Sequence, residues 1–276
     1  MDLKATLYEI KDQIATITLH RPHRANAWTG RMHTEYRYLL DQADRDPDVR
    51  IIVVTGSGER FCVGGDAQAL DGHSKSGSYD AGTAPDIVTP GDEAFEPFRE
   101  DFSYHFALRK PVIAAVNGAA AGVGLVLACY ADIRFAVPGA KLTTAHGPLN
   151  MPAEYGLSWL LPRLIGGSRA LELLISSRKF LTDEAYQMGL FHRLVSPEDL
   201  MSETYAYAAD LIKRVSPDSL YQSKRQTYLD FHRDVGRAVR EANLLLDQMV
   251  KEPDYKEGIS AFLERRAPNW GHKSET

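Results

Sequence analysis

The sequence predicts an α/β fold that ends in a helical region. Strand-like and helix-like segments alternate up to about residue 137, which argues for a sheet with crossover helices. From about residue 158 onward the apolar spacing is almost entirely helical. With 44% hydrophobic residues in 276, the chain can bury the core of one large domain.

Residues 4–9 and 12–19 are rich in Val, Ile, Leu, Thr and Tyr, and alternate across Ile14 to Leu19. Asp12 and Gln13 separate them, which predicts an antiparallel hairpin. Met32, Tyr36, Leu39, Leu40 and Ala43 fall at helical spacing within 30–46, and Pro47 stops that helix. Ile51–Thr55, Val112–Val116 and Ile133–Val137 read as buried strands, and an apolar helix precedes the last of them, running to about Cys129. Helical patterns then cover 166–176, 182–188, 197–214, 217–230, 233–250 and 255–265, interrupted by the strand-like Phe191–Val195. Residues 71–96 hold many Gly, Ser, Asp and Pro and few large apolar residues, and read as a mobile surface loop. Such a loop directly after Asp66 either covers a ligand or is a solvated insertion. Residues His272 to Thr276 read as a frayed tail.

A net charge of -5 argues against a non-specific nucleic-acid binder, and the aromatic residues are not interleaved with basic ones. Cys62 and Cys129 have no metal-type spacing and read as reduced, structural thiols. His20 and His23 lack further ligands nearby, so no metal site is expected. No Gly-x-Ser-x-Gly elbow is present. Residues 1–20 lack the features of a signal peptide, and no apolar run is long enough to span a membrane. A cytoplasmic location is expected.

Two Gly-rich turns stand out: Arg60-Phe61-Cys62-Val63-Gly64-Gly65-Asp66, and Asn117-Gly118-Ala119-Ala120-Ala121-Gly122-Val123-Gly124. Small residues let a ligand approach the backbone, and the N–H groups at a helix start are unpaired and partly positive. Two such groups converging on one oxygen would hold an enolate or a tetrahedral oxyanion, each donor contributing roughly 3–4 kcal/mol. Either turn alone is equally compatible with tight helix–strand packing. Neither matches a P-loop or a dinucleotide fingerprint.

The order and surroundings of the two turns give them meaning. His20-Arg21-Pro22 with Asn26-Ala27, Phe61 to Asp66, Lys110 to Gly118, Gly122-Val123-Gly124 and Ala131-Asp132 follow one another. Leu161 to Gly166, Ala185 to Gly189 with Leu190, and Glu257-Gly258 complete the set. As a set, these segments resemble the crotonase (enoyl-CoA hydratase/isomerase) superfamily over about residues 4–270. The resemblance implies a crotonase-like spiral of ββα units with a C-terminal helical region. It divides the chain into a core carrying the acyl-CoA site over 1–200 and a helical trimerisation region over 201–276. It also implies an acyl-CoA substrate, assembly as homotrimers or homohexamers, and a place in fatty acid metabolism. Coenzyme A arrives as part of the substrate, with no separate cofactor. The two oxyanion donors carry over to the N–H groups of Gly65 and Val123. Val123 stands where the family usually has Gly, and a backbone donor survives that change.

The family's hydratases clamp a water between two glutamates. The corresponding positions hold Val126 and His146, so that clamp is missing. His146 reads either as a base that works near neutral pH or as a hydrogen-bonded structural His. Glu154, eight residues beyond, falls where relatives place an acid/base or nucleophilic carboxylate. The other reading of Glu154 is a carboxylate favoured by a helix N-terminus. An isomerase-like reaction with Glu154 as acid/base is therefore expected over standard hydration. A C–C or thioester hydrolase using His146 and Glu154, and a non-catalytic acyl-CoA binder, are the alternatives. Contacts to coenzyme A are expected from Arg24, from the segment that includes Phe61, Val63 and Asp66, and from Phe262 and Arg265 on the C-terminal helix. Arg265 reads equally well as part of a solvated face.

Overall fold

The structure is a computed structural model, and it describes residues 1–91 and 96–270. Strands β1 (Thr6–Lys11) and β2 (Ile14–Leu19) form the expected hairpin. Asp12 and Gln13 turn the chain at φ 51° and 64°, the two positive angles of a two-residue turn that suits twisted strands. Helix α1 (Gly30–Arg45) is capped by the Thr29 hydroxyl, which accepts from the Met32 N–H at 3.1 Å. Its periodic residues Met32, Tyr36, Leu39, Leu40 and Ala43 are all buried. It crosses over to β3 (Ile51–Gly56), which pairs parallel to β2.

From here each repeat gives one strand to each of two sheets and then a helix. β3 is followed by β4 (Arg60–Cys62) and α2 (Ala67–Ser76). The next unit is β5 (Val112–Val116), β6 (Ala119–Ala121) and α3 (Val123–Tyr130). The third is β7 (Ile133–Ala136), β8 (Lys141–Thr143) and, after a loop, α4 (Leu157–Ile165). Then come α5 (Gly167–Ser176), β9 (Phe180–Leu181), α6 (Thr182–Gln187) and β10 (Arg193–Leu194). The main sheet has the order β1-β2-β3-β5-β7-β10, and the smaller one β4-β6-β8-β9. This is a spiral of ββα units.

Two expectations need correction. The segments of β4 and β6, expected as parts of the Gly-rich turns, are strands of a second sheet; strands of two or three residues carry no measurable alternation. Residues 71–76 are not loop: α2 continues through Ser76, capped by Asp66 at its start and by Gly77 in the left-handed conformation at its end. The expected loop is thus confined to residues after 76. Its positions 92–95, like the tail from His272, lie outside the described residues.

The C-terminal region comprises α7 (Leu200–Arg214), α8 (Pro217–Asp230), α9 (Val235–Met249) and α10 (Pro253–Glu264). α7 packs Leu200 and Ala208 against Ile51, Val53, Ile113 and Phe135 on one face of the main sheet. α8 is tied down by Lys224, whose ammonium donates to Asp132 at 2.8 Å, and by the Tyr228 hydroxyl, which donates to the other Asp132 oxygen at 2.8 Å. α9 and α10 leave Val235, Val239, Leu244, Leu246, Phe262 and Leu263 exposed. Among the described residues no helix is long and apolar enough to cross a membrane. Cys62 and Cys129 are free and buried, and burial pushes both thiols up to about 12.

Candidate active site

The first Gly-rich turn is held from below and from the side. Phe61 sits in the core with no exposed side-chain surface, so of the segment expected to touch coenzyme A it can offer only backbone. Asn26, fully buried, donates to the carbonyls of Ser57 and Arg60 and accepts from the Arg21 N–H at 2.9 Å. The Trp28 N–H donates to the Gly64 carbonyl at 2.8 Å, and the Asp66 N–H to the Trp28 carbonyl at 2.9 Å. Asp66 accepts from the Gln68 N–H at 2.9 Å and pairs with Arg21 at 3.0 Å. Burial by itself would raise this carboxyl, but the Gln68 N–H and the Arg21 guanidinium outweigh it and hold it below its ordinary value.

The second turn packs directly on the first. A Cβ at Gly124 would lie 2.1 Å from the Cys62 carbonyl oxygen, so only glycine lets α3 start this close to β4. Gly122, at φ 48° and ψ -124°, occupies a conformation that L side chains rarely adopt, and its N–H donates to the Thr143 carbonyl at 3.1 Å. A Cβ there would be 3.8 Å from the Gly64 Cα, so the two turns lie side by side. Val123 opens α3. Among the described residues, none of the backbone–backbone hydrogen bonds of the turns, loops and caps uses the N–H of Gly65 or of Val123.

The opposite wall is the segment from Ala145 to Tyr155. Ser177 anchors its start, its hydroxyl accepting from Thr144 at 3.1 Å and from the Gly147 N–H at 3.0 Å. The His146 carbonyl accepts from the N–H groups of Leu149 and Met151, both at 3.1 Å. Ala145, Asn150 and Tyr155 all have positive φ, at 60°, 55° and 51°. Glu154 is half-buried, and desolvation raises its carboxyl above the ordinary glutamate value, partly offset by the nearby His146.

These walls line a partly open cavity of about 140 Å³ that brings together Gly65, Val123, His146 and Glu154, with Val63 and Asp66 on its border. Arg24 is exposed nearby, its charge acting on Asp66. Phe262 and Arg265 do not line this cavity; Phe262 is 78% exposed, and Arg265 ends α10. Val126 is buried within α3. Trp28, His73, Tyr79, Met151 and Tyr155 also line the cavity, and sequence reasoning passed them over. Two signals were present: Tyr79 is one of two aromatic residues, with Phe95, in the polar stretch 77–96, and Tyr155 adjoins Glu154. A larger hollow of about 730 Å³, bordered by residues 10–13, 44–50 and Tyr221, contains none of the expected site residues.

Residues 9–273 match the family model described as enoyl-CoA hydratase/isomerase. The chain is 31% identical to the 1,2-epoxyphenylacetyl-CoA isomerase of Escherichia coli (strain K12), over 97% of this chain and 98% of that protein. Among solved structures, enoyl-CoA hydratase from Bacillus anthracis superposes with a TM-score of 0.83 at 26% identity, covering 97% of this chain and 99% of that one. Enoyl-CoA hydratase from Mycobacterium tuberculosis H37Rv gives 0.82 at 26% identity, with 96% and 98% covered.

Proposed function

The chain belongs to the enoyl-CoA hydratase/isomerase family and is an enzyme of that family acting on acyl-CoA thioesters, and on that premise we propose that it moves a proton on its substrate in an isomerase-like reaction. In this reading the thioester oxygen faces the N–H groups of Gly65 and Val123. Glu154 takes a proton from one carbon of the acyl group, the two N–H groups hold the resulting enolate, and Glu154 returns the proton at another carbon. The observation that carries the reading is the placement of Glu154, with its carboxyl raised, on the same cavity as those two N–H groups. A raised carboxyl is a better base and is more readily reprotonated near neutral pH. Val126 supports the isomerase reading because it offers no second carboxylate to clamp a water.

His146 on the same wall keeps a second reading open, in which it activates water for C–C or thioester hydrolysis. Coenzyme A in this proposal lies along Arg24, the backbone from Phe61 through Val63 to Asp66, and Phe262 and Arg265 of a neighbouring subunit. The exposed apolar residues of α9 and α10 support a homotrimer or homohexamer that would bring such a neighbour close. The proposed location is the cytoplasm.

The test is exchange in heavy water with a panel of acyl-CoA thioesters. Wild type is expected to exchange protons of the acyl chain, and Glu154→Gln to lose about 10²–10⁴-fold in rate while still binding. Unchanged exchange in Glu154→Gln removes Glu154 from the role. Product carrying oxygen from labelled water favours the hydrolase.

A further inference from the structure

Tyr155 borders two cavities at once. On one side is the candidate active site, about 140 Å³. On the other is an open hollow of about 540 Å³ lined by Phe98, Phe106, Tyr130, Trp159 and His232, with the polar Glu100, Asp101 and Ser103 at its side. Tyr155 is held at three points, two on its side chain and one on its backbone. Its hydroxyl lies 2.5 Å from that of Tyr79, which reaches across from the stretch after α2. Its ring meets the buried Phe102 edge-on at 4.9 Å between centroids. Its carbonyl accepts from the Tyr130 hydroxyl at 2.7 Å. The backbone at Tyr155 is left-handed, at φ 51° and ψ 37°, a conformation costly for a side chain of this size and sustained by these contacts.

We propose that Tyr155, clasped by Tyr79, is the specificity wall of the acyl site, limiting the acyl group to a short chain or a single six-membered ring. The size follows from volume: the partly open pocket offers about 140 Å³, on the order of the ~150 Å³ that takes one benzene. The lining suits such a group, since Trp28, His73, Tyr79 and Tyr155 present rings and Leu70 and Met151 present apolar surface. Without the Tyr155 ring, the site opens into the neighbouring hollow, which has room for a long chain. This inference rests on the acyl-CoA reading above.

Equilibrium binding of butyryl-, phenylacetyl- and decanoyl-CoA to the full chain tests it. Wild type is expected to bind butyryl- and phenylacetyl-CoA, and to bind decanoyl-CoA no better than butyryl-CoA. Tyr155→Gly suits the left-handed backbone, and should improve the affinity for decanoyl-CoA relative to butyryl-CoA by about tenfold or more. Burial of two further methylenes is enough for that change. Tyr79→Ala removes the clasp together with one ring of the lining, from a side chain that is 57% exposed, and should move the ratio the same way by less. Wild type that binds decanoyl-CoA much more tightly than butyryl-CoA overturns the proposal, as does an unchanged ratio in both variants. Failure of wild type to bind any of the three sinks the acyl-CoA reading itself and this proposal with it.

Discussion

The two walls of the cavity are built on opposite plans. One wall, from Gly64 to Asp66 and from Gly122 to Gly124, is backbone braced both by other backbone and by side chains. Asn26, Trp28 and Arg21 hold it in place, and its carboxylate, Asp66, is occupied as a helix cap and ion-pair partner. The other wall, from Ala145 to Tyr155, includes three non-glycine residues at positive φ and carries Glu154, whose carboxyl is raised by desolvation. Two carboxylates on one cavity are thus pushed in opposite directions, one locked as an anion and one prepared to take up a proton. The difference teaches that fixed dipoles and movable protons need different supports. Preorganised donors gain from rigid packing, whereas a proton carrier gains from partial burial that outweighs the charges around it.

Disturbing the braced wall should have a large effect on turnover, comparable with that of removing the Glu154 carboxylate. Gly124→Ala forces a methyl against the Cys62 carbonyl and pries the two turns apart. A loss of about 10²–10³-fold in kcat is expected, the scale of losing one oxyanion donor, with circular dichroism confirming that the chain still folds. Wild-type turnover in this variant would mean that the spacing of the turns is irrelevant to the chemistry.

Asp66→Asn should act through stability. It leaves Arg21 without its anion, while the amide oxygen can still cap α2; a loss of about 1–3 kcal/mol is expected, read as a fall of several degrees in Tm. The pH dependence has a definite sign. The folded carboxyl lies below its ordinary value of 3.8, so its contribution is fully present above that value and is lost as pH falls through the lowered one. The gap between variant and wild type should therefore close in acid. A gap that persists there would assign the loss to packing.

Glu154→Gln should give the smallest effect on stability, in the opposite direction. The folded carboxyl lies above its ordinary value of 4.5, so its charged form costs stability as pH rises through the raised value. The variant should melt slightly higher than wild type at neutral pH, and the advantage should vanish below the ordinary carboxylate range. A stabilised but inactive variant is the signature of a functional site that is not optimised for stability. A lower Tm at neutral pH would make Glu154 a structural carboxylate.

The elements that were legible in the sequence are those with a period. The hairpin around Asp12 and Gln13, α1 and the three long strands are each written in local spacing, and the structure reproduces them. The Gly-rich turns were legible as an ordered set, and Glu154 by its distance from them. The smaller sheet was not legible, because its strands are two or three residues long and are defined by partners in other repeats. Asn26 is similar. It stands in a recognisable segment, yet its bonds to Ser57 and Arg60 span more than thirty positions.

The sequence by itself determined the alternating architecture, the family, the absence of a glutamate at 126 and 146, and the presence of one at 154. Those are matters of local period and residue identity. Only the tertiary structure decided that Glu154 is raised while Asp66 is lowered, since each value depends on desolvation and on groups brought from elsewhere in the chain. It also decided that Phe61 faces the core and that Tyr155 stands between two cavities. Volume and burial belong to the assembled walls, and no stretch of sequence holds them alone.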